Sequence, residues 1–290
     1  MPFLAGQLDG LAPPPHERGA ALAWLGQASA RMDAALGHNG AAKCGLDIAL
    51  HDICAKRLGL ALHELLGVTE PAPPTDFSLG LDDPPAVAER ARRAAHFPAL
   101  KIKVGGAGDL ATLRAVREVY HGALRVDANT GWQPDEALAL LPDLEALGVE
   151  FIEQPFPAHQ HAQLRWLQER SPLPIVADES AVTIDDLELL VGVVAGVNVK
   201  LAKCGGVGPA LRMLRRAREL GFRTMLGCMV ETSLGIRAAV AVAGLAEWLD
   251  LDGNLLLADD PFTGLALADD CRWRQPAASG MGLERRLSEG

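Results

Sequence analysis

Leu100-Lys-Ile-Lys-Val104 is one of eight short apolar or β-branched runs that recur along the chain from about residue 76. Successive runs start 22 to 27 residues apart, and stretches rich in Ala, Leu, Arg and Glu with helical spacing separate them. The runs are Phe77-Ser-Leu-Gly80, Leu100-Lys-Ile-Lys-Val104, Leu124-Arg-Val-Asp127, Phe151-Ile-Glu-Gln154, Ile175-Val-Ala-Asp178, Val197-Asn-Val-Lys200, Arg223-Thr-Met-Leu226 and Trp248-Leu-Asp-Leu-Asp252. This alternation predicts an α/β protein whose eight parallel strands close into a TIM-like barrel.

An open, doubly wound sheet is the alternative for alternating strands and helices. Such a sheet usually has fewer units and carries a glycine fingerprint after its first strand, whereas Gly80 stands alone there. We therefore favour the barrel, and we expect helices over residues 110–120, 134–147 and 209–220.

Residues 1–73 do not follow this rhythm. Residues 41–66 are typical of one long helical segment, and Pro71-Ala-Pro-Pro74 is typical of a linker because proline breaks helices. We expect a small capping domain over residues 1–73, the barrel over residues 74–265, and a C-terminal segment over residues 266–290 that packs back toward the capping domain.

Composition excludes several classes of protein. The 290 residues are 49% apolar and 22% charged, which is ordinary globular usage. A net charge of −10 without a basic stripe argues against a nucleic-acid partner. The sequence has no apolar run of membrane-spanning length and no secretory signal, and its five cysteines are scattered. We expect a reduced, cytoplasmic protein without a membrane partner.

Polar residues stand at the carboxyl ends of the predicted strands, the end of a parallel barrel that holds active sites. Asp127, Glu153 and Asp178 end three consecutive strands and would converge near the barrel axis. Three carboxylates without His or Cys suit a hard divalent cation, most plausibly Mg²⁺. In the alternative interpretation each carboxylate caps a helix or pairs with a nearby lysine.

Lysines on the second and sixth strands would approach this point from opposite sides. Burial and a neighbouring cation lower a lysine pKa, so Lys103 and Lys200 could exchange protons with opposite faces of one carbon, with Lys101 supplying the second charge. Simple salt bridges are the alternative for each lysine. Lys203 competes with Lys200, but it lies beyond the strand end on the opposite parity, so we favour Lys200.

The ordered set of strand-end motifs resembles the enolase superfamily, in its muconate lactonising subgroup. The resemblance covers about residues 41–265 and implies a (β/α)₇β barrel with a capping domain, bound Mg²⁺, and a lysine base that acts through an enediolate. The matching motifs are Lys101-Ile-Lys103, Arg125-Val-Asp127-Ala-Asn129, Phe151-Ile-Glu153-Gln154-Pro155, Ala177-Asp178-Glu179-Ser180 and Asn198-Val-Lys200-Leu-Ala-Lys203.

Two further segments look most like the dipeptide epimerases of this superfamily. They are Gly227-Cys-Met-Val-Glu-Thr-Ser233 and Asp250-Leu-Asp252-Gly253. The resemblance implies that Asp250 and Asp252 hold the free ammonium of a dipeptide, a charge-assisted contact. It also implies substrate-binding roles for Met229, Asn129 and Glu231. The implied reaction is Mg²⁺-dependent epimerisation at the α carbon of the C-terminal residue by 1,1-proton transfer, with Lys103 and Lys200 as acid and base and Lys101 stabilising charge on the carboxylate.

The chain departs from the family pattern at its N-terminus. About the first fifty residues of the family's capping domain have no counterpart, and residues 1–10 match at best the end of its sheet, so we expect an N-terminally shortened α+β capping domain. Three functions stay open. The first is a dipeptide epimerase. The second is another activity of the superfamily, similar to o-succinylbenzoate synthase, a cycloisomerase or an N-acylamino acid racemase, and the third is an inert barrel with an incomplete lid. We expect a homo-oligomer.

Overall fold

The computed structural model describes residues 2–106 and 108–286. Eight strands lie in chain order in one sheet, and all neighbouring strands are parallel. The strands are β1 (Phe77–Leu79), β2 (Ala99–Lys103), β3 (Ala123–Asp127), β4 (Val149–Glu153), β5 (Ile175–Ala177), β6 (Gly196–Lys200), β7 (Arg223–Gly227) and β8 (Trp248–Asp250). Each predicted run overlaps one strand, so the predicted eight-stranded barrel is confirmed.

The two edges of the sheet meet just before β1. Thr75 forms a parallel bridge with Leu249 of β8, and the amide of Asp76 donates to the carbonyl of Leu249 at 3.0 Å. The amide of Leu251 donates to Oγ1 of Thr75 at 2.8 Å. These bonds pair the edge groups of the first and last strands, so the sheet forms a nearly closed barrel.

Residues 2–70 are helical and differ from two of our expectations. The helices are α1 (Pro2–Gly6), α2 (Arg18–Ala35), α3 (Gly40–Leu58) and α4 (Leu62–Leu66). Residues 41–66 do not form one segment, because Gly59 at φ +68° ends α3. Residues 2–10 are not the end of a sheet. They contain α1, because a lone strand leaves its backbone groups unpaired whereas a helix pairs its own. The α+β capping domain is therefore helical over these described residues.

Helices cover the outside of the barrel. They are α5 (Pro84–Arg93), α6 (Asp109–Val119), α7 (Pro134–Ala146), α8 (His161–Gln168), α9 (Ile184–Leu190), α10 (Leu201–Cys204), α11 (Val207–Glu219) and α12 (Ser233–Val240). After β8 the described chain forms a 3₁₀ turn (Gly253–Leu256) and a small antiparallel pair, β9 (Phe262–Thr263) with β10 (Glu284–Arg285). Within the described ranges, no helix combines the length and apolar character needed to cross a bilayer.

The chain after β9 contacts the N-terminal helices. Gly280 pairs with the turn between α3 and α4: its amide donates to Leu60 O at 2.9 Å and its carbonyl accepts from the Leu62 amide at 3.1 Å. The amide of Met281 donates to Asp52 Oδ1 at 2.8 Å. Residues 287–290 of the expected C-terminal segment lie outside the described residues.

The barrel interior has an apolar level below the strand ends. Its cluster consists of Phe151, Val176, Met225 and Trp248. Because side chains alternate along a strand, the residue two positions later points inward at the next level. On three of these strands that residue is Glu153, Asp178 or Asp250. The apolar cluster thus supports a charged level at the mouth of the barrel.

Helix α3 is clamped to the barrel by Asp47. Its Oδ2 accepts from the amides of Val207 at 2.6 Å and Gly208 at 3.3 Å, which begin α11. Gly206 before them has φ +130°, and a Cβ there would lie 2.3 Å from Asp47 Oδ2. His51 Nδ1 lies 3.2 Å from the same oxygen. The carboxylate from α3 therefore caps a barrel helix.

We expect Asp47→Asn to destabilise the protein by about 1–3 kcal/mol, because the amide removes the charged cap and leaves the buried His51 without its carboxylate. The urea unfolding midpoint measures this change. Asp259→Asn is the control, since its side chain is 87% exposed. Equal midpoints for the two variants would contradict a clamp at Asp47.

Candidate active site

Lys101 is the central charged group of the barrel mouth. Its side chain is 2% exposed, and Nζ donates to Asp250 and lies 3.5 Å from Glu153 Oε2 and 3.9 Å from Asp127 Oδ2. Burial by itself lowers the pKa of this ammonium, but the surrounding carboxylates outweigh burial and raise it well above its usual value. One lysine from β2 thus neutralises the ends of β3, β4 and β8.

Lys103, two residues along the same face, lies closer to solvent. Its Nζ donates to Asp127 Oδ2 at 2.6 Å and to Asn129 Oδ1 at 2.7 Å, and its side chain is 29% exposed. Asn129 has φ +42° and also donates to Glu179. After this left-handed residue the chain runs beside the end of β4, where the amide of Thr130 donates to Gln154 O at 2.8 Å.

Lys200 lies across the barrel, four strands from Lys103 in an eight-stranded ring. Its Nζ donates to Asp178 Oδ2 at 2.7 Å. Burial lowers the pKa of this lysine, but the charges of Asp178 and Glu153 together raise it by more, so the pKa lies above its usual value. The expectation of a lowered pKa is therefore wrong for Lys200 in this arrangement, because the carboxylates stabilise the ammonium.

Lys203 reaches the same carboxylate, which the strand-parity argument did not anticipate. Its Nζ donates to the carboxylate and carbonyl of Asp178 and to Asn198 O at 3.0 Å. The chain leaves the strand at Lys200 and enters α10 at Leu201. Residues three apart on a helix share a side, so helical spacing, not strand alternation, governs Lys203.

The three strand-end carboxylates are buried: Asp127 and Glu153 are 0% exposed and Asp178 is 3% exposed. Burial, followed by repulsion from Asp127, raises the pKa of Glu153 to about 7. Burial raises the pKa of Asp178, but Lys203 and Lys200 lower it to well below its usual value. As the described side chains stand, no group of three or more His, Cys, Asp or Glu is arranged to hold a metal ion.

One oxygen of Glu153 stands out within this cluster. Oε1 accepts from Asn198 Nδ2 at 2.6 Å, whereas Oε2 is buried without a hydrogen-bond partner. A buried carboxylate oxygen without a partner is unfavourable unless a cation or donor satisfies it. The donor set, three carboxylates without His or Cys, is the one that Mg²⁺ prefers.

Gln154, next to Glu153, holds the neighbouring strand end in place. It has φ +34°, and its Oε1 accepts from the amides of Asp178 at 2.8 Å and Ser180 at 3.2 Å. Its Nε2 donates to Phe156 O at 2.7 Å. A buried side-chain amide thus replaces the ladder bonds that are lost where β5 ends.

Asp250 and Asp252 lie beside the end of β1. Ser78 Oγ donates to Asp250 Oδ1 at 2.9 Å, and the Ser78 amide donates to Asp252 Oδ2 at 2.6 Å. Burial raises the pKa of Asp250, but Lys101 and Lys200 together with hydrogen bonds to the carboxylate lower it by more, to about 2. Burial, followed by repulsion from Asp250, raises the pKa of Asp252 to about 6. The pair therefore carries negative charge at neutral pH on the β1 side of the mouth.

These groups surround a cavity of about 300 Å³. Of the residues predicted from the sequence it is lined by Lys101, Lys103, Lys200, Asp178, Asn129, Met229, Asp250 and Asp252. Asp127 and Glu153 lie beneath its floor, in contact with Lys101. The other lining residues were not predicted as site residues: Ser78, Glu179, Lys203, Cys228, Val230, Gly253 and Leu256. Lys203 was weighed against Lys200 and not favoured. Four of the others, Glu179, Cys228, Val230 and Gly253, lie within the quoted motifs.

Glu231, a predicted substrate-binding residue, lies beside the cavity, where its neighbour Met229 is part of the lining. It is absent from the cavity lining, and its Oε1 accepts from the Met229 amide at 3.2 Å. A Cβ on Gly235 would lie 1.8 Å from Glu231 Oε2, so this carboxylate packs against the first turn of α12. The helix begins two residues after Glu231, and its first turn attracts the carboxylate away from the mouth.

Comparison with known proteins agrees with this geometry. Residues 86–288 match the family model "Enolase C-terminal domain-like", and residues 19–67 match "Mandelate racemase / muconate lactonizing enzyme, N-terminal domain". Over 231 residues the chain is 42% identical to an L-Ala-D/L-amino acid epimerase of Pedosphaera parvula, covering 78% of this chain and 67% of that protein.

Solved structures give the same result. A dipeptide epimerase of Cytophaga hutchinsonii, complexed with Mg and the dipeptide D-Ala-L-Val, has a TM-score of 0.87 at 28% identity and covers 99% of this chain and 80% of its own. An N-succinyl Arg/Lys racemase of Bacillus cereus has the same TM-score at 27% identity and covers 98% of this chain and 79% of its own. The chain therefore belongs to the mandelate racemase / muconate lactonizing enzyme family of the enolase superfamily.

Proposed function

We propose that this protein is a Mg²⁺-dependent dipeptide epimerase. In this proposal residues 74–265 form the catalytic barrel, residues 1–73 cap it, and the reaction inverts the α carbon of the C-terminal residue. The observation that carries it is the mouth itself, where Lys103 and Lys200 face each other and Asp250 and Asp252 lie together on one side. Similarity to proteins named dipeptide epimerases supports it.

Asp127, Glu153 and Asp178 would hold the Mg²⁺. Their oxygens fit a hard cation, and Oε2 of Glu153, which accepts no hydrogen bond within the described chain, has capacity for one. Burial and then repulsion from Asp127 raise the pKa of Glu153, and a cation bound there would stabilise its charged form. Bound there, Mg²⁺ would supply Lewis-acid stabilisation of negative charge on the substrate carboxylate.

The two lysines would exchange the α-proton. One takes it from one face of the carbon as the free amine, and the opposite lysine returns a proton to the other face as the ammonium. In the present arrangement Asp178 keeps Lys200 protonated. Positive charge near Asp178 weakens this preference and favours the neutral amine. Lys101, buried beneath them, would stabilise charge on the substrate carboxylate.

Asp250 and Asp252 would bind the ammonium of the dipeptide through charge-assisted hydrogen bonds. Asn129 and Met229, which line the same cavity, would contact the rest of the substrate. One observation favours a second candidate, racemisation of an N-acylamino acid: Lys101 already neutralises Asp250, and a substrate without an ammonium needs no further partner there. The equal fold similarity to an N-succinyl Arg/Lys racemase agrees with it.

Proton exchange in D₂O tests the reaction directly. A panel of L,L-dipeptides with Mg²⁺ is expected to lose the NMR signal of the C-terminal α-proton and to gain the L,D diastereomer, and EDTA should stop both changes. Exchange that continues in EDTA contradicts the metal assignment. A panel that shows no exchange contradicts the dipeptide proposal, and N-succinylamino acids then test the second candidate.

Removal of one lysine should separate exchange from inversion. We expect Lys103→Ala and Lys200→Ala each to lower kcat for epimerisation by about 10²–10⁴-fold, because each inversion needs both groups. Each variant should still exchange deuterium into the one diastereomer whose α-proton faces the remaining lysine. The exposed Lys56→Ala is the control. If Lys203→Ala, rather than Lys200→Ala, removes exchange of one diastereomer, Lys203 is the second base.

Asp252→Asn should discriminate between the substrate classes. For free dipeptides we expect kcat/KM to fall by about 30-fold or more, because the ammonium loses a buried anionic partner. For an N-succinylamino acid we expect a change of less than about threefold. Equal losses for both substrates would mean that Asp252 shapes the mouth instead of binding an ammonium.

A further inference from the structure

A second, larger cavity of about 610 Å³ lies against the outer face of β1. Each of the first seven strands is followed by at least one α-helix, but after β8 the described chain forms only the 3₁₀ turn Gly253–Leu256 before it reaches β9. The outer side chains of β1 therefore face a space between the end of α5 and this turn. The apolar lining is Phe77, Leu79, Phe97, Leu255, Leu256 and Leu267.

The two cavities share two lining residues. They are Ser78 of β1 and Leu256 of the 3₁₀ turn. Ser78 is bonded to Asp250 through its hydroxyl and to Asp252 through its amide, while its neighbours Phe77 and Leu79 point to the opposite side of the strand and line the larger cavity. The larger cavity thus begins one residue from the aspartate pair.

The chemistry of the larger cavity is apolar with a cationic rim. Phe77 and Phe97 stack with ring centroids 5.0 Å apart. At the rim, Arg90 lies 3.2 Å from Asp82 and Arg93 lies 3.1 Å from Glu89, so both guanidinium charges have partners. An apolar side chain would lose its water here without burying an unpaired charge, whereas the ammonium of a cationic side chain would find no carboxylate among the described lining residues.

We infer that this cavity receives the side chain of the N-terminal residue of the substrate and selects a large apolar one, aromatic or branched aliphatic. The inference rests on the proposed function, because Asp250 and Asp252 locate the N-terminal residue by its ammonium. A chain anchored there has Ser78 on one side and Leu256 on the other. The volume is ample for a phenylalanine or leucine side chain.

The test compares dipeptides that share one C-terminal residue, the one exchanged fastest in the D₂O panel, and differ in the N-terminal residue: Gly, Ala, Leu, Phe or Lys. We expect kcat/KM for the dipeptides with N-terminal Leu or Phe to exceed that for the Ala dipeptide by roughly tenfold or more, because their side chains are buried on binding. The value for the Lys dipeptide should be lower than that for the Ala dipeptide. Leu255→Trp, which fills the larger cavity from an exposed position, should reduce the Phe to Ala ratio by about tenfold.

Leu189→Trp on α9, at a leucine that is 62% exposed, is the matched control and should leave the ratio unchanged. If no dipeptide is turned over, the proposed function fails before the cavity is tested. The inference is overturned if the dipeptides are turned over but their kcat/KM values differ by less than about twofold between N-terminal Gly and Phe. It is also overturned if the Phe to Ala ratio is high and Leu255→Trp leaves it unchanged. A change in molar mass by light scattering on Leu255→Trp, with the ratio intact, would mean that a second copy covers this surface.

Discussion

The charged level at the barrel mouth depends on one buried ammonium. Lys101 is surrounded by carboxylates from β3, β4 and β8, each of which would repel the others without it. Groups with so little exposure are tolerated only when they are paired, so the ends of β2, β3, β4 and β8 must stay at a common level. The barrel therefore holds its reactive groups in the same arrangement that compensates their burial.

The pairing also explains why the mouth is not a set of independent groups. Lys200 and Lys203 share Asp178, and Lys103 shares Asp127 with Lys101. A cation or substrate that binds to one of these carboxylates therefore changes the pKa of the lysine paired with it. Coupling of this kind suits proton transfer, because the protonation of a base then follows the occupancy of the site. The mouth shares Ser78 and Leu256 with the apolar cavity outside β1, where no α-helix follows β8 in the described chain.

The capping helices and the barrel form one unit at the turn after β6. Asp47 of α3 caps α11, and a Cβ on Gly40 at the start of α3 would lie 2.1 Å from the carbonyl of Lys203. The segment that carries Lys200 and Lys203 is thus packed against the N-terminal helices.

The barrel could be predicted from the sequence, because the alternation of strands with helices and the repeat of about 25 residues are visible in the local residue pattern. The sequence also determined which strand ends carry acids and lysines, since parity assigns the inward face of each strand. The alternation of side chains did not predict the positions of residues beyond the end of a strand. Lys203 reaches the mouth because of helical spacing, Glu231 packs against the first turn of α12, and Pro2–Gly6 form a helix. The pairing of charges depends on distances between strands that are far apart in the chain, and these distances are set by the tertiary fold. The raised pKa of Lys200, which follows from its pairing with Asp178, is therefore not readable from the sequence.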